Sequence, residues 1–183
     1  NAGLSDQFAQ FFARGDTFGL GVCNGCQMFA ELASIIPGAQ HWPRFTTNLS
    51  ERFEARLALV SILPSPSLFF AGMAHSRLPI AVAHGEGFAN FDASRGGQGD
   101  ASQIIAAMQF VDHQGQATEQ YPFNPNGSPN GLAAVCTPDG RFTAMMPHPE
   151  RVFRNVQMSW TDQDLAHYSP WMQMWVNARR FVS

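Results

Sequence analysis

The chain has 183 residues, 45% of them apolar and 14% charged, a composition that supports one compact domain with a sizeable core and excludes a disordered polymer. Its formal charge is −3, and its eleven basic residues, every one an Arg, are spread along the chain, which leaves no electrostatic footprint for nucleic acid or an anionic membrane. No apolar run approaches the ~20 residues of a membrane-spanning helix, and the first residues lack the pattern of a secretory signal. Three cysteines fit a reducing compartment better than a disulfide framework, so a soluble, cytoplasmic protein is expected.

In chain order, Ser5 with Asp6 reads as a helix cap, and Phe8, Phe11 and Phe12 follow at helical spacing until Gly15 stops the pattern. Thr17 to Val22 is a short apolar run that predicts a strand. From Asn24 to Ala33 the apolar positions Met28, Phe29, Leu32 and Ala33 return to a helical period. The segment from Arg52 to Leu63 alternates, placing Phe53, Ala55, Leu57 and Leu59 on one face of a half-buried strand of antiparallel type. A second apolar run, Pro79 to Ala83, ends at His84-Gly85-Glu86-Gly87. Gly96 to Gly99 predicts a surface loop, and Asn124 to Gly131 concentrates turn residues into one ordered loop. Leu132–Cys136 and Arg141–Met146 flank Pro138-Asp139-Gly140 as a hairpin. A polar stretch follows Glu150, and Ser169-Pro170 then opens a helix with Trp171, Met174, Trp175 and Ala178 on one face. Parallel-type and antiparallel-type signals are mixed, with no internal repeat and no linker.

The chemistry concentrates at Gly21-Val22-Cys23-Asn24-Gly25-Cys26-Gln27, where strand, sharp turn and helix meet at a thiol. Small neighbours allow a tight turn that holds a nucleophile exposed. A helix N-terminus lowers a thiol pKa and points N–H groups at a developing oxyanion. A cysteine nucleophile needs a base, and the base an orienting group; His148-Pro149-Glu150 supplies both from one strand end.

These segments together resemble class I glutamine amidotransferases, whose G-x-C-x-G-x-Q and His-x-Glu patterns are met by G-V-C-N-G-C-Q and by H-P-E. The likeness sharpens toward the glutaminase domains of the phosphoribosylformylglycinamidine synthase family. Phe53-Glu54, His84-Gly85-Glu86-Gly87, Asn124-Pro125-Asn126-Gly127-Ser128 and Ser169-Pro170-Trp171-Met172 carry that part of it. The resemblance implies a three-layer α/β fold, flavodoxin-like and doubly wound, with a mostly parallel sheet, an antiparallel edge and its first strands missing. Residues 1–183 are then a partial glutaminase domain, the C-terminal part of a larger multidomain ligase. Cys23 is implied as nucleophile, His148 as base and acid, and Glu150 as its orienting partner. Asn24 is implied as an oxyanion donor, with Gln27, His84 and Gly85 as the wall of the glutamine pocket. Glutamine and a synthetase domain of the same protein are the implied partners. No cofactor or metal is implied in this chain; ATP and Mg belong to the synthetase domain, where ammonia is used.

The family's Gly-rich oxyanion loop has no counterpart before Cys23, and nothing in the sequence resembles a nucleotide site. Two other readings therefore stand beside the first: a cysteine hydrolase or peptidase on a related α/β fold, and a non-catalytic interaction module. Cys23 and Cys26 also form C-x-x-C, readable as a redox pair or half of a zinc site, although no second such pair exists to complete one. Cys26 and Cys136 are read as packed thiols, and Arg44, Arg52 and Arg56 as solvated.

Overall fold

The structure is a computed structural model that describes residues 2–159 and 167–183, so part of the polar stretch after Glu150 lies outside the described residues. The elements, in chain order, are α1 (Ala2–Ala13), β1 (Gly19–Val22), α2 (Asn24–Glu31), β2 (Arg44–Thr46), β3 (Glu54–Ile62), β4 (Arg77–His84), β5 (Phe88–Asn90), β6 (Ile105–Phe110), β7 (Leu132–Cys136), β8 (Phe142–Met145) and α3 (Met172–Phe181). Among the described residues the main sheet runs β1-β8-β7-β6-β3-β4, and β2 with β5 forms a small antiparallel ribbon. No helix of these residues is long and apolar enough to cross a membrane.

The sheet lies between two apolar layers. On one face Phe12 of α1 and Cys26, Phe29 and Ala30 of α2 pack on Val135, Phe142 and Ala144. On the other, Trp171 and Met174 pack on Val60, Ile62, Met108 and Met145. Strands β7 and β8 are buried at every position, which is what helices on both faces require. The α/β class with a three-layer, mixed sheet is thus as the sequence predicts. Its proportions differ from a mostly parallel sheet: β1 and β8 pair in parallel, and the other four junctions are antiparallel. Connectivity is the reason. Parallel neighbours need a crossover, usually helical, whereas β7 returns to β8 through the Pro138-Asp139-Gly140 turn and β3 returns to β4 without a long helix.

Two local expectations are corrected. Helix α1 begins at Ala2, so Ser5 and Asp6 lie inside it. Both are exposed, and a cap preference of about 1 kcal/mol does not stop a helix that Ala and Leu favour upstream. At its other end the Thr17 hydroxyl bonds the carbonyls of Phe11 and Arg14 at 2.6 and 3.0 Å. On β3 the buried face is the opposite one: Glu54, Ala58, Val60 and Ile62 point inward, while Phe53, just ahead of the strand, is 68% exposed. A buried charge hid this face. Glu54 is 6% exposed and is held by the Arg56 guanidinium and, at 2.7 Å, by the Ser50 hydroxyl. Arg56 also lies over the Tyr121 ring, 4.7 Å from its centroid; it is not a solvated residue.

The expected hairpin, the Gly96–Gly99 surface loop and the final helix are all present. Trp171 anchors that helix by donating its indole N–H to the Pro79 carbonyl at 2.8 Å. The loop from Asn124 is ordered by its own amides: Asn124 Oδ1 accepts from the Gly127 N–H at 2.9 Å, and Asn126 Oδ1 from the Ser128 N–H at 3.0 Å.

Candidate active site

Cys23 sits between β1 and α2 at φ 53°, ψ −110°. Positive φ in a residue with a Cβ is strained, at a cost of about 1–3 kcal/mol, and such strain gathers at functional sites. The conformation is imposed from both sides. The Cys23 N–H bonds the Met145 carbonyl of β8 at 3.0 Å, and its carbonyl accepts the first helical bond from Gln27 at 3.1 Å. Gly21 makes the turn possible, because a Cβ there would lie 2.5 Å from the Gly25 carbonyl oxygen. Gly25 is different: a Cβ at that position meets nothing within 4 Å. Of the two glycines flanking the elbow, packing requires only Gly21. Cys26 is a free, fully buried thiol, Cys136 is buried too, and Cys23 is the partly exposed one.

His148 is positioned by β4. Its N–H bonds the Ala81 carbonyl at 2.8 Å, and two residues along the same strand the Ala83 carbonyl lies 4.0 Å from the Cys23 sulfur. The Pro149–Arg151 turn then brings Glu150 back so that its carboxylate meets His148 Nδ1 at 2.6 Å. A carboxylate accepts; Nδ1 therefore carries the proton and Nε2 presents its lone pair. Nε2 is buried and has no protein partner. A cavity of about 580 Å³ joins Cys23, Asn24, Gln27, His84, Gly85 and His148. Every cavity or catalytic residue singled out from the sequence lines this space except Glu150, which stands behind His148.

The far wall depends on His84, which is 3% exposed. Asn126 donates Nδ2 to His84 Nε2 at 3.3 Å, an orientation fixed because Asn126 Oδ1 is already used by Ser128. His84 Nε2 is thus an acceptor and the ring is neutral. Gly87 must lack a side chain, since its Cβ would stand 2.4 Å from that nitrogen. Asn48 binds the His84 carbonyl at 2.8 Å and the Gly87 N–H, also at 2.8 Å. Sequence reasoning missed Asn48 because its partners come from a distant strand. It also left unassigned three residues that line the same cavity: Phe53, Glu86 and Arg151. Glu86 lies within a recognised motif and Arg151 directly follows His-Pro-Glu, so the signal was present for both.

Electrostatics corrects one expectation. Burial pushes the Cys23 thiol above its ordinary value; the adjacent Asn24 N–H and Arg151 pull it down, and Glu150 adds to the rise. The helix N-terminus helps the thiolate, but desolvation wins. Burial also raises Glu150, yet the His148 hydrogen bond, the residue's own N–H and Arg151 leave it below its ordinary value. His84 is pushed down to about 4, by burial first and by His148 second, with the Met146 backbone opposing.

An α/β sandwich with a strained cysteine at a strand–helix elbow and a His–Glu pair across one cavity is an architecture of the glutamine amidotransferase class. The chain belongs to the CobB/CobQ-like glutamine amidotransferase domain family, whose model matches residues 1–182. Among solved structures it is similar to PurLQS from Thermotoga maritima, with a TM-score of 0.71 and 18% identity over 98% of this chain and 68% of that one. It is also similar to a proposed GMP synthase component from Thermoplasma acidophilum, with a TM-score of 0.54 and 11% identity over 99% of this chain and 65% of that one. At such identities these likenesses establish the fold. The chain spans about two thirds of the length of each.

Proposed function

We propose that this chain carries the glutaminase half-reaction of a phosphoribosylformylglycinamidine synthase. The observation that supports it most is the shared cavity: a strained Cys23 lines it together with a His148 whose Nδ1 is held by Glu150 and whose buried Nε2 has no hydrogen-bond partner. In this reading His148 Nε2 takes the thiol proton, and the thiolate attacks the side-chain amide carbon of glutamine. The oxyanion is met by the Asn24 N–H at the start of α2. The C–N bond breaks as His148 returns the proton to the leaving ammonia, leaving a γ-glutamyl thioester on Cys23. His148 next takes a proton from water as it attacks the thioester carbon; glutamate leaves and the thiol is restored. Glu150 fixes the tautomer and balances the imidazolium charge. Burial raises the thiol and so favours its protonated form, which gives His148 its part as base in this reading.

Ammonia then serves an ATP- and Mg-dependent synthetase domain of the same protein, where the amide oxygen of formylglycinamide ribonucleotide is activated and replaced, in purine biosynthesis. The family membership supports glutamine as nitrogen donor, and the motif set from Phe53-Glu54 to Ser169-Pro170-Trp171-Met172 supports the acceptor. Cys23→Ala tests the reading: glutamine-dependent synthesis is abolished while ammonia-dependent synthesis remains. Equal loss of both would make Cys23 a structural residue.

A further inference from the structure

The cavity holds two opposite charges that the half-reaction leaves unused. The acid is Glu86, exposed at the mouth, whose carboxylate accepts from Gln27 Nε2 at 3.2 Å. Gln27 thus ties it to α2, one turn beyond Cys23. The base is Arg151, which comes from the other side, one residue past the His148–Glu150 pair. Its side chain is 54% exposed, and its nearest charge is Glu150 at 3.5 Å, a carboxylate already taken by His148 at 2.6 Å. Among the described residues its guanidinium makes no hydrogen bond, only this longer ion pair, so most of its planar fork of donors is left to a ligand in the cavity that Arg151 lines.

We propose that Arg151 and Glu86 form a zwitterion clamp, Arg151 receiving the α-carboxylate and Glu86 the α-ammonium of a free L-amino acid. The clamp rests on the glutaminase reading and adds what that reading lacks, a reason for the site to prefer free glutamine over a glutamine residue in a peptide. A peptide-linked glutamine carries neither charge. A guanidinium binds a carboxylate through two parallel hydrogen bonds, and a site built around such groups rejects analogues that leave them unpaired. Each charge is tied to one member of the catalytic pair, Glu86 through Gln27 to the cysteine helix and Arg151 to the turn that follows His148. Substrate held at both ends has its side-chain amide directed between Cys23 and His148, which is the positioning the chemistry needs.

The test compares ammonia release by the intact protein from L-glutamine, L-glutamine methyl ester and N-acetyl-L-glutamine. The wild type discriminates against both analogues at least tenfold in kcat/KM. Arg151→Ala raises KM for glutamine at least tenfold with kcat within about threefold, and loses discrimination against the methyl ester alone. Glu86→Gln keeps an acceptor for Gln27 and loses discrimination against the N-acetyl compound alone. Arg151→Lys, which retains the charge without the fork, falls between. If the wild type turns over glutamine but the variants leave both discriminations intact, the clamp alone is wrong. The same holds if Arg151→Ala lowers kcat equally for all three substrates with KM unchanged, since Arg151 then serves the chemical step and not the binding of the α-carboxylate. Absence of wild-type glutamine turnover sinks the glutaminase reading and the clamp with it.

Discussion

His84 makes acid stability a direct probe of the cavity wall. Its ring is neutral in the folded protein, where burial and, second, the neighbouring His148 push it down to about 4. In the unfolded chain it titrates near the ordinary 6.5. The unfolded state therefore binds more protons between these values, and stability falls as pH drops through the window from 6.5 to 4. With these two limits, linkage gives a loss of about 2 kcal/mol between pH 7 and pH 5 and about 3 kcal/mol by pH 4. The carboxylates held below their ordinary values, Glu150 and Asp139 among them, titrate lower and add their losses mainly below about pH 4.5. The assay is urea unfolding at pH 7 and pH 5 for wild type and His84→Gln. The wild-type midpoint falls by roughly 1 M, given an m-value of about 2–3 kcal/mol/M. The variant starts less stable but loses much less between the two pH values. An equal loss in both proteins would refute the assignment of a neutral, titrating His84.

Three further outcomes are expected. Gly21→Ala drives a Cβ into the Gly25 carbonyl and costs about 1–3 kcal/mol, lowering Tm by roughly 2–12 °C in thermal melts, whereas Gly25→Ala leaves Tm unchanged or slightly higher. Alkylation of Cys23 by iodoacetamide follows pH with a midpoint above the ordinary 9.0, and Arg151→Ala moves it higher by removing a charge that favours the thiolate; a midpoint below 7 would contradict the burial argument. Glu150→Gln retains a partner for His148 but favours the wrong tautomer, so kcat for glutamine hydrolysis falls roughly 10²- to 10⁴-fold with little change in KM.

What the sequence made legible was the geometry with local causes. Cys23 needs a strand, a glycine and a helix within a few residues of it, and His148 finds Glu150 two positions away, so both groups could be assigned before any fold was known. The loop from Asn124 to Ser128 was legible for the same reason, since its amides bond their own backbone. Long-range pairing was not legible. Glu54 and Arg56 hold each other inside the protein, and alternation therefore put β3 the wrong way round. Asn48 is a single polar residue whose bonds to His84 and Gly87 cross the chain. The thiol's shift depended on how deeply the elbow is buried, which no motif states. The helical period of α2 failed similarly at Met28, which is 42% exposed while Cys26 turns inward.

The claim that everything else leans on is that Cys23, and no other cysteine, forms the covalent intermediate. The glutamine analogue diazo-oxonorleucine reacts with such a nucleophile in its own pocket, and peptide mapping by mass spectrometry locates the adduct. A single adduct on Cys23, suppressed by excess glutamine and absent from Cys23→Ala, is the predicted result. Labelling of the fully buried Cys26, or of no cysteine at all, would contradict it.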